Sequence, residues 1–282
     1  MSADLNNHIV RRHYTAHDGD NILSQVQHVI CIVTADALIS AGFHPSGEVL
    51  IVNSSRYEQG QWNCDFLEQE LLNDPLLAAP ELIRCVYLAT VKNIIIPGEL
   101  YPGEEIAPQW LQAIYYCEKT EKLQVQDLGR SNATCCYAYP KSVEECFSPY
   151  TKDLKFQPLN SLHFHNSVAA VNLLQCTLTD RYAIATLHHN QQLHWHQTFE
   201  YSTPEDIVYR LTAACHSYGI DPLSYPLWYT ATNDELDATL MTLQAYFPSA
   251  RVRGKEGIAL VAAPEWAATI RLFQQLNAAC AL

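Results

Sequence analysis

Glycine is scarce where a nucleotide-binding chain would need it. The 282 residues include ten glycines, with no Gly-x-Gly and no Gly-Lys-Ser/Thr loop among them. Neither the dinucleotide fingerprint nor a P-loop is therefore present. Basic charge is also short: 17 Lys and Arg face 30 Asp and Glu, giving a formal net charge of −13. With no basic cluster to compensate, a nucleic-acid partner is excluded. Long apolar runs are missing. Val29 to Val33 and Ile258 to Ala263 are the longest, far below the roughly 20 residues of a membrane-spanning helix. No apolar segment follows Arg11 and Arg12, so no secretory signal is expected. Cys-x-x-Cys pairs are absent too. The ten cysteines stand singly apart from Cys135-Cys136, which reads as buried free thiols rather than a zinc site, a redox motif or a disulfide framework. The expectation is a cytoplasmic protein with no membrane span and no cofactor.

Apolar and aromatic residues are plentiful, 48% of the chain being hydrophobic, and length allows one large or two medium domains. The clearest organisation lies between Leu173 and Tyr246. Leu173 to Leu178, Tyr182 to Leu187 and Leu193 to Tyr201 read as three strands broken by polar turns, the last alternating with a period of two. Thr203-Pro204-Glu205-Asp206 has the chemistry of a helix start: a capping hydroxyl, a first-turn proline and two acids. Ile207, Leu211, Cys215 and Tyr218 form its apolar stripe, and Gly219 ends it. Pro226 to Tyr229 reads as a fourth strand. A second helix, capped by Asn233, runs to Tyr246. Ala250 to Val252 adds a short strand.

The first half contains a weaker copy. Val29 to Val33, Ala37 to Phe43 and Glu48 to Asn53 predict three strands, and Cys64 to Leu72 a helix. Val86 to Ala89 and Asn93 to Ile96 read as paired strands around a short turn. Ala107 to Tyr116 is helical. Strand propensity returns over Leu123 to Tyr139, and Ser142 is placed to cap a short helix through Phe147. Residues 1 to about 25 read as a partly ordered polar arm. Ile258 to Ala262 reads as a strand, and Pro264 starts a final helix carrying Trp266, Ile270, Phe273 and Leu276. The repeat predicts two lobes, 25–160 and 161–282, each with a mixed sheet and flanking helices.

Two segments carry a resemblance: Ile96-Pro97-Gly98-Glu99-Leu100-Tyr101, and Thr198 to Tyr209 with its Phe-Glu-Tyr and Glu-Asp elements. Over residues 25 to 260 the chain resembles a family of uncharacterised Bacteroidetes proteins. The resemblance implies an α/β protein of the actin-like ATPase fold, a duplicated ribonuclease-H-like unit. In such a fold each lobe offers nucleotide a hairpin with an Asp and glycines, because backbone N–H groups must approach phosphate closely and a carboxylate must hold Mg²⁺. The matching turns here are Thr34-Ala35-Asp36-Ala37 and Thr179-Asp180-Arg181-Tyr182. Each keeps an Asp and has no glycine. The adenosine-side Gly-Gly is replaced by Tyr229-Thr230-Ala231-Thr232.

Asp36 and Asp180 thus read as turn residues, and no catalytic, cofactor or metal residue is assigned. The expected function is a non-catalytic scaffold that binds an unidentified protein partner or self-associates. A divergent ATP-binding protein or small-molecule kinase, with Asp36 and Asp180 on the magnesium side, is the first alternative. A metal-binding protein is the second: His188, His189, His194 and His196 surround one hairpin, His194 and His196 share a strand face with His188 facing them across the turn, and His163 and His165 repeat the spacing. The competing view of these histidines is a solvated polar face.

Overall fold

The computed structural model describes residues 9–16, 22–57, 64–148, 154–165, 172–232, 237–252 and 266–280. The first sheet is built around β2 (His28–Val33), a run buried along its whole length. β3 (Ala37–Phe43) pairs antiparallel with it, and β4 (Val49–Tyr57) antiparallel with β3. On the other side β5 (Ile83–Leu88) and then β9 (Lys155–Pro158) pair in parallel. A strand central to such a sheet is covered on both faces, so an unbroken apolar run is what it requires. The two faces divide by residue parity. Val29, Cys31 and Val33 pack with Leu67 and Leu71 of α1 (Cys64–Asn73) and with Val143 and Phe147 of α3 (Lys141–Phe147). Ile30 and Ile32 pack instead with Ile270, Phe273 and Leu276 of α7 (Ala267–Cys280).

The second sheet repeats this order. β10 (Leu173–Leu178), β11 (Tyr182–His189) and β12 (Gln192–Glu200) are antiparallel neighbours, and β13 (Leu227–Ala231) and β14 (Arg251–Val252) add in parallel. Both sheets therefore run third-second-first-fourth-fifth strand, the mark of a duplicated unit. The helix between them in the pattern, α5 (Pro204–Ser217), starts as its sequence requires. The Thr203 hydroxyl accepts from the Asp206 amide, and the Asp206 carboxylate accepts from the Thr203 amide at 3.0 Å. The Ser202 and Thr203 amides, both donating to the Asp206 carboxylate, hold its carboxyl below the usual range. Gly219 follows with φ of +67°, a left-handed position suited to glycine. Tyr218 departs from the expected stripe: it is exposed, and its hydroxyl donates to the His194 carbonyl at 2.5 Å. The second helix of this lobe is α6 (Asp237–Tyr246).

Inserted between β5 and β9 is a three-stranded sheet of β6 (Asn93–Pro97), β8 (Ala133–Pro140) and β7 (Glu121–Asp127), covered by α2 (Ala107–Ile114). This corrects the expected β5–β6 pairing. The two strands are consecutive, yet β5 stays in the first sheet and β6 pairs with β8. The first-lobe arm is also corrected. β1 (Ile9–Thr15) adds antiparallel to β4, and Arg11 reaches buried Glu70 with Nη2–Oε1 at 2.5 Å. Ser142 does not cap α3; Pro140 holds that position with no side-chain bond. The Asn233 cap and the 258–262 strand lie outside the described residues.

Gly98, in the first of the resembling segments, sits against Asn132. A Cβ there would lie 2.3 Å from Asn132 Oδ1 and 2.9 Å from its backbone oxygen. The Gly98 amide donates to that oxygen at 2.7 Å. The segment is conformational in its demands: only glycine permits this approach.

Candidate functional site

Each lobe's first hairpin begins with a threonine. Thr34 N–H donates to the Ala37 carbonyl at 2.9 Å, and Thr179 N–H to the Tyr182 carbonyl at 2.8 Å. The hydroxyls then take backbone amides. Thr34 Oγ1 accepts from Asp36 N at 3.3 Å and Ala37 N at 3.0 Å. Thr179 Oγ1 accepts from Arg181 N at 3.4 Å and Tyr182 N at 2.9 Å. In a phosphate loop such amides are turned toward the ligand. Here side-chain oxygens of the same turns accept from them.

Asp36 and Asp180, expected in separate lobes, are brought together. Arg56 of β4 stands cross-strand from Ala37. Its Nη1 is 3.4 Å from Asp180 Oδ1 and its Nε 4.0 Å from Asp36 Oδ2. The two carboxylate side chains are only 7% and 5% exposed, whereas Arg56 is 39% exposed and enters from the rim. Burial raises the Asp36 carboxyl above its usual range, and the Asp180 charge adds to this. The Thr34 hydroxyl, donating to Asp36 Oδ1 at 3.0 Å, and the charges of Arg56 and Arg181 oppose the rise. A guanidinium thus bridges the pair of carboxylates that the ATPase reading would give to magnesium. Sequence reasoning did not find Arg56. The available signal was a lone arginine in the polar second half of β4, the strand that pairs with the one leaving the Asp36 turn.

Beside the Thr34 turn a cavity of about 460 Å³ opens toward the insertion, lined by Thr34, Lys92, Glu121, Tyr139, Ser142 and Tyr182. Its Lys92 ammonium is held by both Glu121 oxygens at 2.8 Å.

The histidines separate into two sets. His196 belongs to a chain of hydrogen bonds across the second sheet to the insertion. Its Nδ1 is 2.9 Å from Thr186 Oγ1 and its Nε2 3.1 Å from Asn93 Oδ1. Thr186 continues to His163 Nδ1 at 2.7 Å, His163 Nε2 to Thr177 at 2.8 Å, and Thr177 to Thr230 at 2.8 Å. One assignment supplies each of these bonds with a donor. His196 Nε2–H donates to Asn93, Thr186 O–H to His196 Nδ1, His163 Nδ1–H to Thr186, Thr177 O–H to His163 Nε2, and Thr230 O–H to Thr177. Asn93 is held by Asn160 Nδ2 at 3.0 Å and itself donates to Thr198 at 2.9 Å. Desolvation lowers the His196 pKa to about 3, so the ring is neutral, although one edge of the residue reaches a groove. At His196 the face expected to be solvated is instead an interface between the second sheet and the insertion.

The remaining hairpin histidines pack against rings. His189 and His194 centroids are 5.6 Å apart, and His194 meets Tyr218 at 5.1 Å. His188 is buried against Phe164, and desolvation lowers its pKa. Among the described residues no group of three or more His, Cys, Asp or Glu side chains is arranged to hold a metal ion. The side chain of His165 is outside the described set.

The groove at His196 has a volume of about 750 Å³ and lies between β6, α2 and β12. Its wall includes Leu100, Trp110 and Ile114, all exposed. β6 and β12 are both edge strands of their sheets.

A family model described as "Protein of unknown function (DUF3822)" matches residues 49–250. The chain belongs to this family. No curated protein matches the sequence. A solved protein from Bacteroides thetaiotaomicron VPI-5482, described as having an actin-like ATPase fold and unknown function, superposes with a TM-score of 0.73. It is 13% identical, with 93% of this chain and 99% of that one covered. A PilM-PilN type IV pilus biogenesis complex superposes with a TM-score of 0.57 at 12% identity, covering 92% of this chain and 99% of that chain. At these identities the likeness establishes the fold. This DUF3822 member has the actin-like ATPase fold, an α/β duplicated ribonuclease-H-like unit, as the resemblance implied. Among the described residues no helix is long and apolar enough to cross a membrane.

Proposed function

We propose that this DUF3822 member is a nucleotide-independent protein of the actin-like fold that works by binding another protein. One observation carries the reading: the Arg56 guanidinium lies against both Asp36 and Asp180. Binding Mg²⁺ there would require displacing a cation already paired in a site of low exposure. The threonine-capped turns support the same reading, since donating their amides to phosphate means giving up the existing bonds. The test is phosphate release from ATP with Mg²⁺, using wild type and Asp36→Asn/Asp180→Asn. The reading expects no release above the protein-free rate for either. Turnover by wild type that the double variant abolishes would overturn it in favour of a divergent ATPase or kinase.

The partner surface is the groove between β6, α2 and β12. Its occupant is an extended partner segment carrying apolar and basic side chains. Two edge strands offer unpaired backbone groups for strand addition. Exposed Glu99, Glu104 and Glu105 stand close in sequence to Leu100 and Trp110, on a chain of net charge −13. A fluorescent peptide alternating Leu and Lys tests this by anisotropy. Binding weakened at least about tenfold by Ile114→Glu or by Glu in place of the peptide lysines fits the reading; equal binding by all of them sinks it. The PilM relative is solved with PilN, which supports protein binding only as analogy of fold. Nine cysteines outside any disulfide among the described residues and the acidic charge support a cytoplasmic location and no nucleic-acid partner. The division at 25–160 and 161–282 is kept as a proposed boundary, supported by the gap between β9 and β10.

A further inference from the structure

α7 is shared by the two lobes. Ala268 packs in the second-lobe core, and Thr269 Oγ1 donates to the Thr232 carbonyl at 3.0 Å. Farther along, Ile270, Phe273 and Leu276 pack on β2, and Asn277 Oδ1 is 2.8 Å from His28 Nε2. The helix ends at Cys280. There the Cys280 sulfur lies 3.2 Å from Tyr87 Oη and packs against the core cluster that holds Tyr87 and Cys85, both residues of β5. Cys85 is buried; Cys280 is half-buried. The parallel register of β9 sets Lys155 beside Cys85, and Arg84 precedes it. Two neighbouring thiols, one reachable from solvent and flanked by cations, form an arrangement distinct from the isolated buried cysteines of the core.

We propose that Cys85 and Cys280 are a reversible thiol–disulfide pair that reacts with peroxides and, when oxidised, pins α7 to β5. The neighbouring Cys85 thiol and Tyr87 hydroxyl, with the charges of Lys155 and Arg84, favour the Cys280 thiolate; its pKa is lowered to about 7, while that of Cys85 is raised. The Cys280 thiolate attacks hydrogen peroxide. An S–O bond forms, the O–O bond breaks, and hydroxide leaves to take the proton Cys280 had released. Cys85, giving up its proton, then attacks the sulfenic sulfur. The S–S bond forms, the S–O bond breaks, and water leaves. Two thiols and one peroxide become one disulfide and two waters, sulfur losing two electrons to oxygen. The bond would tie residue 85 of the first sheet to the last turn of the helix both lobes share, and so stiffen one lobe against the other.

The test treats full-length, reduced protein with about one equivalent of hydrogen peroxide, then counts thiols in denaturant and maps linked peptides. The ten cysteines should give ten thiols before and eight after, with Cys85 joined to Cys280 and dithiothreitol restoring ten. The oxidised protein should melt at least about 5 °C higher, since a cross-link closing so long a loop restricts the unfolded chain. Cys280→Ser should show nine thiols before and after, and Cys280→Ala serves if that variant folds poorly. Retention of all ten thiols overturns the proposal. So does oxidation of Cys280 without linkage to Cys85, or a bond elsewhere, such as Cys117 with Cys136. An unchanged melting temperature in the disulfide form overturns the pinning of α7.

Discussion

Replacing Arg56 with Met keeps most of the side-chain volume and removes the charge that lies between the lobes. The consequence can be worked from the geometry. Asp36 and Asp180 remain almost enclosed, at 5% and 7% side-chain exposure, and now repel one another with less to offset it. Removing one partner of a fully buried ion pair costs roughly 3–5 kcal/mol, and an exposed pair is worth roughly 0.2–1 kcal/mol. Arg56 is 39% exposed and its contacts are 3.4 and 4.0 Å, so an intermediate loss of about 2 kcal/mol is expected at pH 7.5. The pH dependence gives an independent check. The Asp36 carboxyl is already raised above 3.8, and without Arg56 it rises further. A carboxyl with a raised folded pKa binds more protons folded than unfolded. Its stability cost is therefore full at neutral pH and shrinks as pH falls through the folded value. The deficit of Arg56→Met should accordingly shrink on acidification toward pH 5, and Asp36→Asn in the same chain should recover about half of it. Urea unfolding followed by fluorescence compares both variants with wild type. Stability within about 0.5 kcal/mol of wild type, the range of ordinary surface changes, with an unchanged pH profile, would refute the claim that Arg56 holds the two carboxylates.

Three further outcomes follow from particular contacts. His196 titrates near pH 3 in the folded protein and near 6.5 when unfolded, so the unfolded chain binds the proton first. Stability should rise with pH from about 3 to 6.5 and level off above it, with a shallower slope in His196→Gln; an identical slope in acid unfolding would count against the neutral-ring assignment. Gly98→Ala forces a Cβ onto Asn132 and should lower stability by about 1–3 kcal/mol, checked by thermal melting. Thr203→Ala removes the capping hydroxyl of α5 and should cost about 1 kcal/mol. Thr203→Ser should cost less, and equal melting of the two would remove the cap from the account.

The second sheet was legible because its signals are local. The Thr203–Asp206 box, Gly219 and the alternation in β12 each act within a few residues. β1 was hidden because Arg11, Arg12 and His13 look like a solvated arm. On an edge strand those side chains are tolerated, and Arg11 meets Glu70, 59 positions away. The β5–β6 error has a similar source. A short polar break between two apolar runs resembles a hairpin, whereas the parallel pairing of β5 with β2 and β9 leaves no local mark. The same limit governed the site. Asp36 and Asp180 were placed in the correct turns from the polar breaks between apolar strands, but their meeting depends on lobe packing. Arg56 enters only through the β3–β4 register. For the histidines, a period of two put His194 and His196 on one face, and the structure corrects this: His194 is the extra residue of a bulge in the β11–β12 register, so its ring meets Tyr218 while His196 turns to Asn93. Nor could the period reveal Asn93 and Asn160 arriving from the first lobe to occupy His196.

The account rests on turns whose amides and carboxylates are already engaged by the protein's own threonines and arginine. Isothermal titration of ATP and ADP with Mg²⁺ into untagged protein measures this directly. No binding heat at millimolar nucleotide is the result the account predicts. Saturable micromolar binding, lost in Asp36→Asn or Asp180→Asn, would contradict it.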